Sequence, residues 1–497
     1  MFCLADYPKS AKYWLWLVLL VTLSATVSCG HSRLPWDRKP VDDLGEEDQV
    51  PTKTLTPPDS QPPPSVKGIS SSSLQNLDAI QTALNVKPWL ENGGNCSKSK
   101  IAIIDNGYMG LESSIGRRLP QVQVEESPGN PQMETAHGTK LAEIIWSLCT
   151  GAVSYSAESA KLGPEIKLYN GNGLTNFTSA INQIQSGSFD FVVYSQVWEY
   201  GGNFDGKGFI NALVNEVALE TDTIWLNSAG NYGQSSWEGP LTFANQAFPN
   251  QASSESPASA LLPLQKNRVK MIVESEATPI KITASWNDFT DDKSYRTTQD
   301  LDMRLLDYYG TVVAESKLIQ DGVERTTTPG YSIHAREQLN TVLGAGIYEI
   351  ELTSTNPAQF SRKSKVRISA DGVGVRFEGI RPTSSVMIPA DNPNVFAIGA
   401  SDFLGSSFAI SSNRLLGSVN KPEFMLPSKA AFLTEDKEKL EFVGTSSATA
   451  IAAATLMLHS SKCGAWTKNS LMEISVSLRK QAKDLSLPKD PSECLKP

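Results

Sequence analysis

Only four histidines, His31, His137, His334 and His459, occur in this 497-residue chain. Any reaction that needs an imidazole base therefore has four candidates and no more. Six cysteines are present, but none form a CxxC pair and none cluster with histidine, which argues against a zinc site. Acidic residues outnumber basic ones, 53 to 44, and the formal charge of −9 gives no support for nucleic-acid binding. Long apolar runs are missing apart from one near the start, Tyr13 to Val27, which is too short for a comfortable membrane span.

What is present is a series of short motifs. Gly444-Thr445-Ser446-Ser447-Ala448 runs into the small-residue stretch Thr449 to Ala454. A serine between Gly-Thr and an alanine-rich helix sits where the chain turns sharply, beside amides that no helical carbonyl satisfies. Read alone, Ser446 is an N-cap residue of a buried helix. Upstream, Lys100 to Gly107 contains the β-branched run Ile101-Ala102-Ile103-Ile104 followed by Asp105. It reads as a buried parallel strand that delivers a carboxylate at its C-terminal edge. Ala136-His137-Gly138-Thr139 opens a segment with apolar residues at 141, 144, 145 and 148, which is helical spacing. Asn227 to Gly233, containing Gly230 and Asn231, follows the apolar piece Thr223 to Leu226 and reads as the exit of another strand.

An aspartate, a histidine, an asparagine-bearing turn and a Gly-Thr-Ser motif, in that order, resemble the subtilisin-like serine proteases. The resemblance implies Ser446 as nucleophile, His137 as general base and acid, Asp105 as its orienting carboxylate, and Asn231 as oxyanion donor. Elimination among the histidines points the same way. His31 lies in a linker, His334 in a β-rich segment, and His459 thirteen residues into the helix from Ser446, roughly 20 Å away at 1.5 Å per residue.

The resemblance covers about residues 74–264 and 381–482. Phe191 to Ser195 is similar to the family strand that pairs with substrate, which makes Ser195 and Gly230 substrate-binding candidates. Pro389 to Ala400, Ser411 to Arg414 and Lys421-Pro422 resemble segments ahead of the nucleophile. Departures exist: Asn106 replaces a hydroxyl residue, Lys140 and Glu143 replace a histidine and a glycine, and Ala450 replaces a proline. The missing proline is expected to alter the first turn of the nucleophile helix. Val197 and Trp198 fall where glycines usually flank the specificity pocket, so a narrower or differently shaped pocket is expected.

Lys9 and Lys12 ahead of the short apolar run read as a signal peptide, residues 1–28. Its end, Thr26-Val27-Ser28-Cys29, resembles a bacterial lipobox and makes Cys29 the expected lipidated first residue of the mature chain. The expected location is then the cell envelope, at the outer membrane or cell surface, with the membrane contacted through the lipid. An ordinary secretory signal is the alternative. Residues 29–73 are rich in proline, serine and acid and read as an unfolded tether of roughly 40 Å mean reach. Family members usually carry a folded propeptide here, and the tether leaves no room for one.

Without Cys3 and Cys29, four cysteines remain, which allow three pairings. The helix from His137 should return Cys149 to the bottom of the sheet, beside Cys96, which leaves Cys463 to Cys494. Residues 265–380 exceed what a bare catalytic domain needs, and they alternate apolar and polar residues: Ile280, Ile282, Ala284 and Trp286, then Leu301, Met303 and Leu305, then Tyr348, Ile350 and Leu352. This predicts an antiparallel β-sandwich inserted in the catalytic domain. Asp300 and Asp302 could hold a structural calcium, but two aspartates read more simply as solvated carboxylates, and no metal or cofactor is assigned.

The expected fold is α/β: a doubly wound, mostly parallel sheet interrupted by the sandwich, with residues 381–497 completing the catalytic domain. The expected function is a serine endopeptidase acting on extracytoplasmic proteins or peptides. The alternative is a catalytically inactive relative that binds peptides in the same cleft. The sequence sets no oligomeric state.

Overall fold

The structure, a computed structural model, describes residues 72–243, 258–259, 268–324, 329–378, 386–401, 421–434, 439–481 and 484–496. Cys29, the signal segment, most of the tether, the Ser411 to Arg414 loop and the expected boundaries at 264/265 and 380/381 lie outside the described residues.

The chain enters through β1 (Ser72–Leu74), α1 (Leu77–Ala83) and α2 (Val86–Glu91). It then builds β2 (Lys100–Asp105), α3 (Leu111–Ser114), α4 (His137–Thr150), β3 (Glu165–Asn170), α5 (Gly173–Ser186), β4 (Phe191–Tyr194), α6 (Phe209–Ala218) and β5 (Ile224–Ser228). Two later strands, β16 (Phe396–Ser401) and β17 (Phe424–Pro427), complete a six-stranded sheet of order β17-β16-β5-β4-β2-β3, parallel throughout.

Side-chain alternation shows why the sheet is covered on both faces. Ile101 and Ile103 of β2 join one buried cluster with α4, whereas Ala102 and Ile104 join the other with α5 and α6. Chain order places the topological switch between β2 and β4, because the chain leaves β2 for β3 on one side and returns to β4 on the other. Asp105 is the last residue of β2, and Ser195 directly follows β4. The expected doubly wound α/β fold is therefore present.

Between β5 and β16 lies an antiparallel insert of two sheets. Its strands are β6 (Ser236–Pro240), β7 (Ala258–Ser259), β8 (Arg268–Val273), β9 (Thr278–Trp286), β10 (Asp302–Asp307), β11 (Val312–Ser316), β12 (Arg336–Leu343), β13 (Gly346–Ser354), β14 (Lys365–Asp371) and β15 (Val375–Phe377). One sheet has the order β11-β10-β13-β8-β15, with β7 also on β13; the other has β12-β9-β14-β6. Ile280, Ile282 and Trp286 of β9 share a buried cluster with Met303, Leu305 and Ile350 from the facing sheet, as period-two alternation requires. The same cluster contains Tyr194, Trp198 and Trp225 of the parallel-sheet unit. The opposite face of β9 is buried as well: Lys281, Thr283 and Ser285 are all under 10% exposed.

β18 (Lys429–Thr434) and β19 (Lys439–Val443) form a hairpin, with β1 paired to β18. The hairpin leads into α7 (Thr445–Cys463), which is followed by α8 (Lys468–Lys480). Thr445 to His459 are all buried, which small side chains permit in a helix apolar on every side. Cys96 is bonded to Cys149 and Cys463 to Cys494. No described helix is long and apolar enough to cross a membrane.

Candidate active site

At the end of β2 the Asp105 carboxylate is fully buried, with Oδ1 accepting from the Gly107 amide at 3.2 Å. Its Oδ2 lies 2.5 Å from Nδ1 of His137, the first residue of α4. With Nδ1–H directed at the carboxylate, the lone pair of the neutral ring is left on Nε2, the tautomer that a general base requires. Gly138 makes this approach possible. A Cβ there would stand 2.8 Å from the Asp105 Cβ and 2.3 Å from the Tyr108 ring.

Tyr108 was not among the sequence candidates. Its hydroxyl sits 2.9 Å from the carbonyls of both Ile103 and Tyr169. Burial first, and then the nearby Asp105 charge, push its pKa well above the ordinary value, so it stays a neutral brace beneath the aspartate. The sequence signal was present, an aromatic residue directly after Asp105-Asn106-Gly107, but spacing alone does not say which way it points.

Ser446 is the second residue of α7, behind Gly444 with φ of 130°. That backbone favours glycine, and a Cβ on Gly444 would lie 2.7 Å from Nδ2 of Asn231. The Ser446 hydroxyl donates to the Ser195 carbonyl at 3.2 Å, while the next residue, Gln196, has its Nε2 3.5 Å from His137 Nδ1. Nucleophile candidate and base candidate thus each lie against one residue of the same dipeptide. Phe442 of β19 packs edge-on against the His137 ring, with centroids 5.1 Å apart. A hydroxyl has one proton, so donation to His137 requires Ser446 to rotate away from Ser195.

Asn231 follows Gly230, which has φ of 101°. Its Oδ1 accepts from the Thr445 amide at 3.0 Å and the Thr445 hydroxyl at 3.2 Å. This fixes the amide plane and leaves Nδ2 as the donor on the opposite edge, beside the start of α7. Asn227, also missed, is fully buried and donates to the carbonyls of Gln196 at 3.2 Å and Ser228 at 3.0 Å. It ties the exit of β4 to the exit of β5.

Lys140, Glu143, Ala450 and Trp198, which depart from the expected pattern, each have a local setting in the structure. Lys140 and Glu143 pair at 2.8 Å, and Glu143 also accepts from Arg118 at 3.0 Å and Ser114 at 2.6 Å. The Glu143 carboxylate is thus shared by three buried donors. Ala450 lies in the second turn of α7, not the first as expected; proline there would remove a helical hydrogen bond rather than pre-organise the start. Trp198 does not sit on the cleft. Its ring is buried against Phe177 and Tyr200 and donates to Tyr194 Oη at 2.9 Å, which leaves Val197 partly exposed.

The other described histidines are occupied elsewhere. His334 is caged by Tyr200, Phe209 and Phe289, and His459 stacks between Trp89 and Trp466. Among the described residues, the one group of three metal-type ligands is His459 with Cys463 and Cys494, and its sulfurs are joined as a disulfide rather than held as thiolates. Asp300 accepts from the Gln320 amide at 3.0 Å. Burial and the Asp300 charge raise Asp302 to about 6.

No family model and no curated protein matches the chain. Similar solved structures include the Clostridium perfringens CspB protease, at 12% identity and a TM-score of 0.45 over 80% of this chain and 92% of that one. The nisin leader peptidase NisP from Lactococcus lactis is similar at 14% identity and a TM-score of 0.38, over 81% and 89%. The serine protease MycP1, a component of a type VII secretion system, is similar at 12% identity and a TM-score of 0.35, over 82% and 85%. All three of these structural neighbours are proteases.

Proposed function

We propose that this chain is a subtilisin-like serine endopeptidase that hydrolyses peptide bonds of extracytoplasmic proteins or peptides. The observation that carries the reading is the buried 2.5 Å contact between Asp105 Oδ2 and His137 Nδ1, set against the same dipeptide that receives the Ser446 hydroxyl. After rotating toward Nε2, Ser446 gives its proton to His137 as its oxygen adds to the scissile carbonyl carbon. Nδ2 of Asn231 and orphan amides at the start of α7 receive the charge that develops on the carbonyl oxygen. His137 then protonates the departing amine, and water, deprotonated by the same imidazole, releases the acyl group. Ser195 and Gly230 border the cleft and align the substrate backbone. These side chains supply nucleophile, base and oxyanion donor, so the reading calls for no cofactor.

An organophosphorus probe tests the chemistry. Ser446 should be labelled in the wild type, unlabelled in Ser446→Ala, and labelled far more slowly in His137→Ala. A folded wild-type protein that resists the probe would instead support a peptide-binding relative, the reading favoured by the Ser446 hydroxyl resting on Ser195 rather than on His137.

The same reading places the enzyme at the cell envelope through lipidated Cys29, on a tether of residues 29–73. Cys29→Ala should move the protein to the soluble fraction while small-peptide cleavage persists. A wild-type mature chain without an acyl group at Cys29 would remove the anchor and leave the catalytic assignment standing.

A further inference from the structure

Glu199 lies four residues beyond Ser195 and is buried, and neither motif nor spacing explains a carboxylate there. Its Oε1 accepts from the Tyr232 hydroxyl at 2.8 Å. Its Oε2 accepts from the Thr283 hydroxyl at 3.2 Å and pairs with the Lys281 ammonium. Tyr232 is the residue after Asn231, and Lys281 and Thr283 lie on the outer face of β9 in the insert. Tyr232, Lys281 and Thr283 are each under 10% exposed. One carboxylate therefore joins the segment after β4, the asparagine turn and the inserted domain.

The backbone makes a second connection. The Tyr232 carbonyl accepts from the Ser235 amide at 3.1 Å, and the Ser235 carbonyl accepts from Ala370 at 2.8 Å. Ala370 belongs to β14, which pairs with β9. Asn231 is thus followed immediately by a residue linked to the insert through Glu199 at its side chain and through Ser235 at its backbone.

We infer that the insert sets the position of Asn231, with Glu199 as the positioning residue that relays between Lys281 and Tyr232. The inference rests on the endopeptidase reading for its consequence in turnover. A buried ion pair that only stabilised the fold would contribute to melting temperature and nothing else. A relay acting through an oxyanion donor affects the transition state, where the charge on the substrate oxygen appears, and spares ground-state binding. A misplacement of about 1 Å in such a donor costs on the order of a hundredfold in rate.

Tyr232→Phe, which deletes one hydroxyl, and Lys281→Met, which keeps the stem and removes the charge, should each lower kcat by about tenfold to a hundredfold with KM unchanged. Glu199→Gln, which can still accept from Tyr232, should retain more activity than Glu199→Leu. In protein labelled with 15N-asparagine, the Asn231 side-chain amide signals, assigned by their loss in Asn231→Ala, should shift in both Tyr232→Phe and Lys281→Met. Unshifted amide signals, or a loss of thermal stability with kcat intact, would overturn the relay. Because the amide signals need no turnover, they read the relay even if Ser446 proves unreactive; failure of Ser446 labelling would overturn the endopeptidase reading alone.

Discussion

On the proposed reading, an imidazole held by a buried carboxylate is only half of a hydrolytic site, and the other half is Asn231. Its Oδ1 is committed to Thr445, so the only strong donor that it can turn toward a substrate oxygen is Nδ2. Asn231→Ala should therefore leave peptide binding intact while lowering turnover about a hundredfold or more, the usual cost of removing one oxyanion donor. Steady-state kinetics on a peptide substrate checks this; unchanged kcat would remove Asn231 from the mechanism. Gly444 and Gly138 belong to the same scale. Each is a glycine because a neighbouring functional side chain occupies the space where its Cβ would stand.

Helix α4 presents His137 from a segment that is buried along its whole length, including Thr139, Lys140 and Glu143 in its first two turns. Lys140 reaches Glu143 one turn on, and Arg118 reaches the same carboxylate from the loop after α3. Burial lowers the pKa of Lys140, against the pull of Glu143, and its ammonium lies 4.6 Å above the Phe432 ring. Glu143→Ala would leave both cations in a dry interior without the carboxylate that they share. A loss of about 3–5 kcal/mol is expected in a chemical-denaturation curve. Glu143→Gln, which still accepts hydrogen bonds, should lose less, and equal losses would mean that the charge, not hydrogen-bond acceptance, is what matters there.

On the scale of the whole molecule, the insert and the parallel-sheet unit share one apolar core, so they should not behave as two loosely tethered domains. His334 sits at their junction, among Tyr200 and Phe209 on one side and Phe289 on the other. Burial, then the charges of Arg336 and Arg296, lower its pKa to about 3. Below its ordinary value of 6.5 the unfolded chain takes up a proton that the folded chain refuses, so stability falls as pH drops from about 6.5 toward 3. Glu337 acts in the opposite sense. Burial raises it to about 8 from 4.5, so its contribution is complete below 4.5 and is lost as pH rises through 8. His334→Phe should flatten the decline in melting temperature between pH 7 and 4; an identical decline in the variant would show that other groups carry it.

Four short motifs already name Asp105, His137, Asn231 and Ser446, because strand and helix periodicity is local and each motif sits at the end of its element. Alternation in residues 280–286 and 301–305 likewise reveals an antiparallel insert, since period two is written in neighbouring residues. Tyr108, Asn227 and Glu199 escaped that reading. Each owes its role to partners that a strand crossover or the insert brings from elsewhere in the chain, as with Glu199 and Lys281, 82 residues apart by their numbering. Alternation puts Lys281, Thr283 and Ser285 on the face away from Ile280 and Ile282 but does not say what covers that face, and in the structure it is buried, with a carboxylate against Lys281. The burial of a polar side chain depends on what lies opposite, and only the tertiary structure decides that.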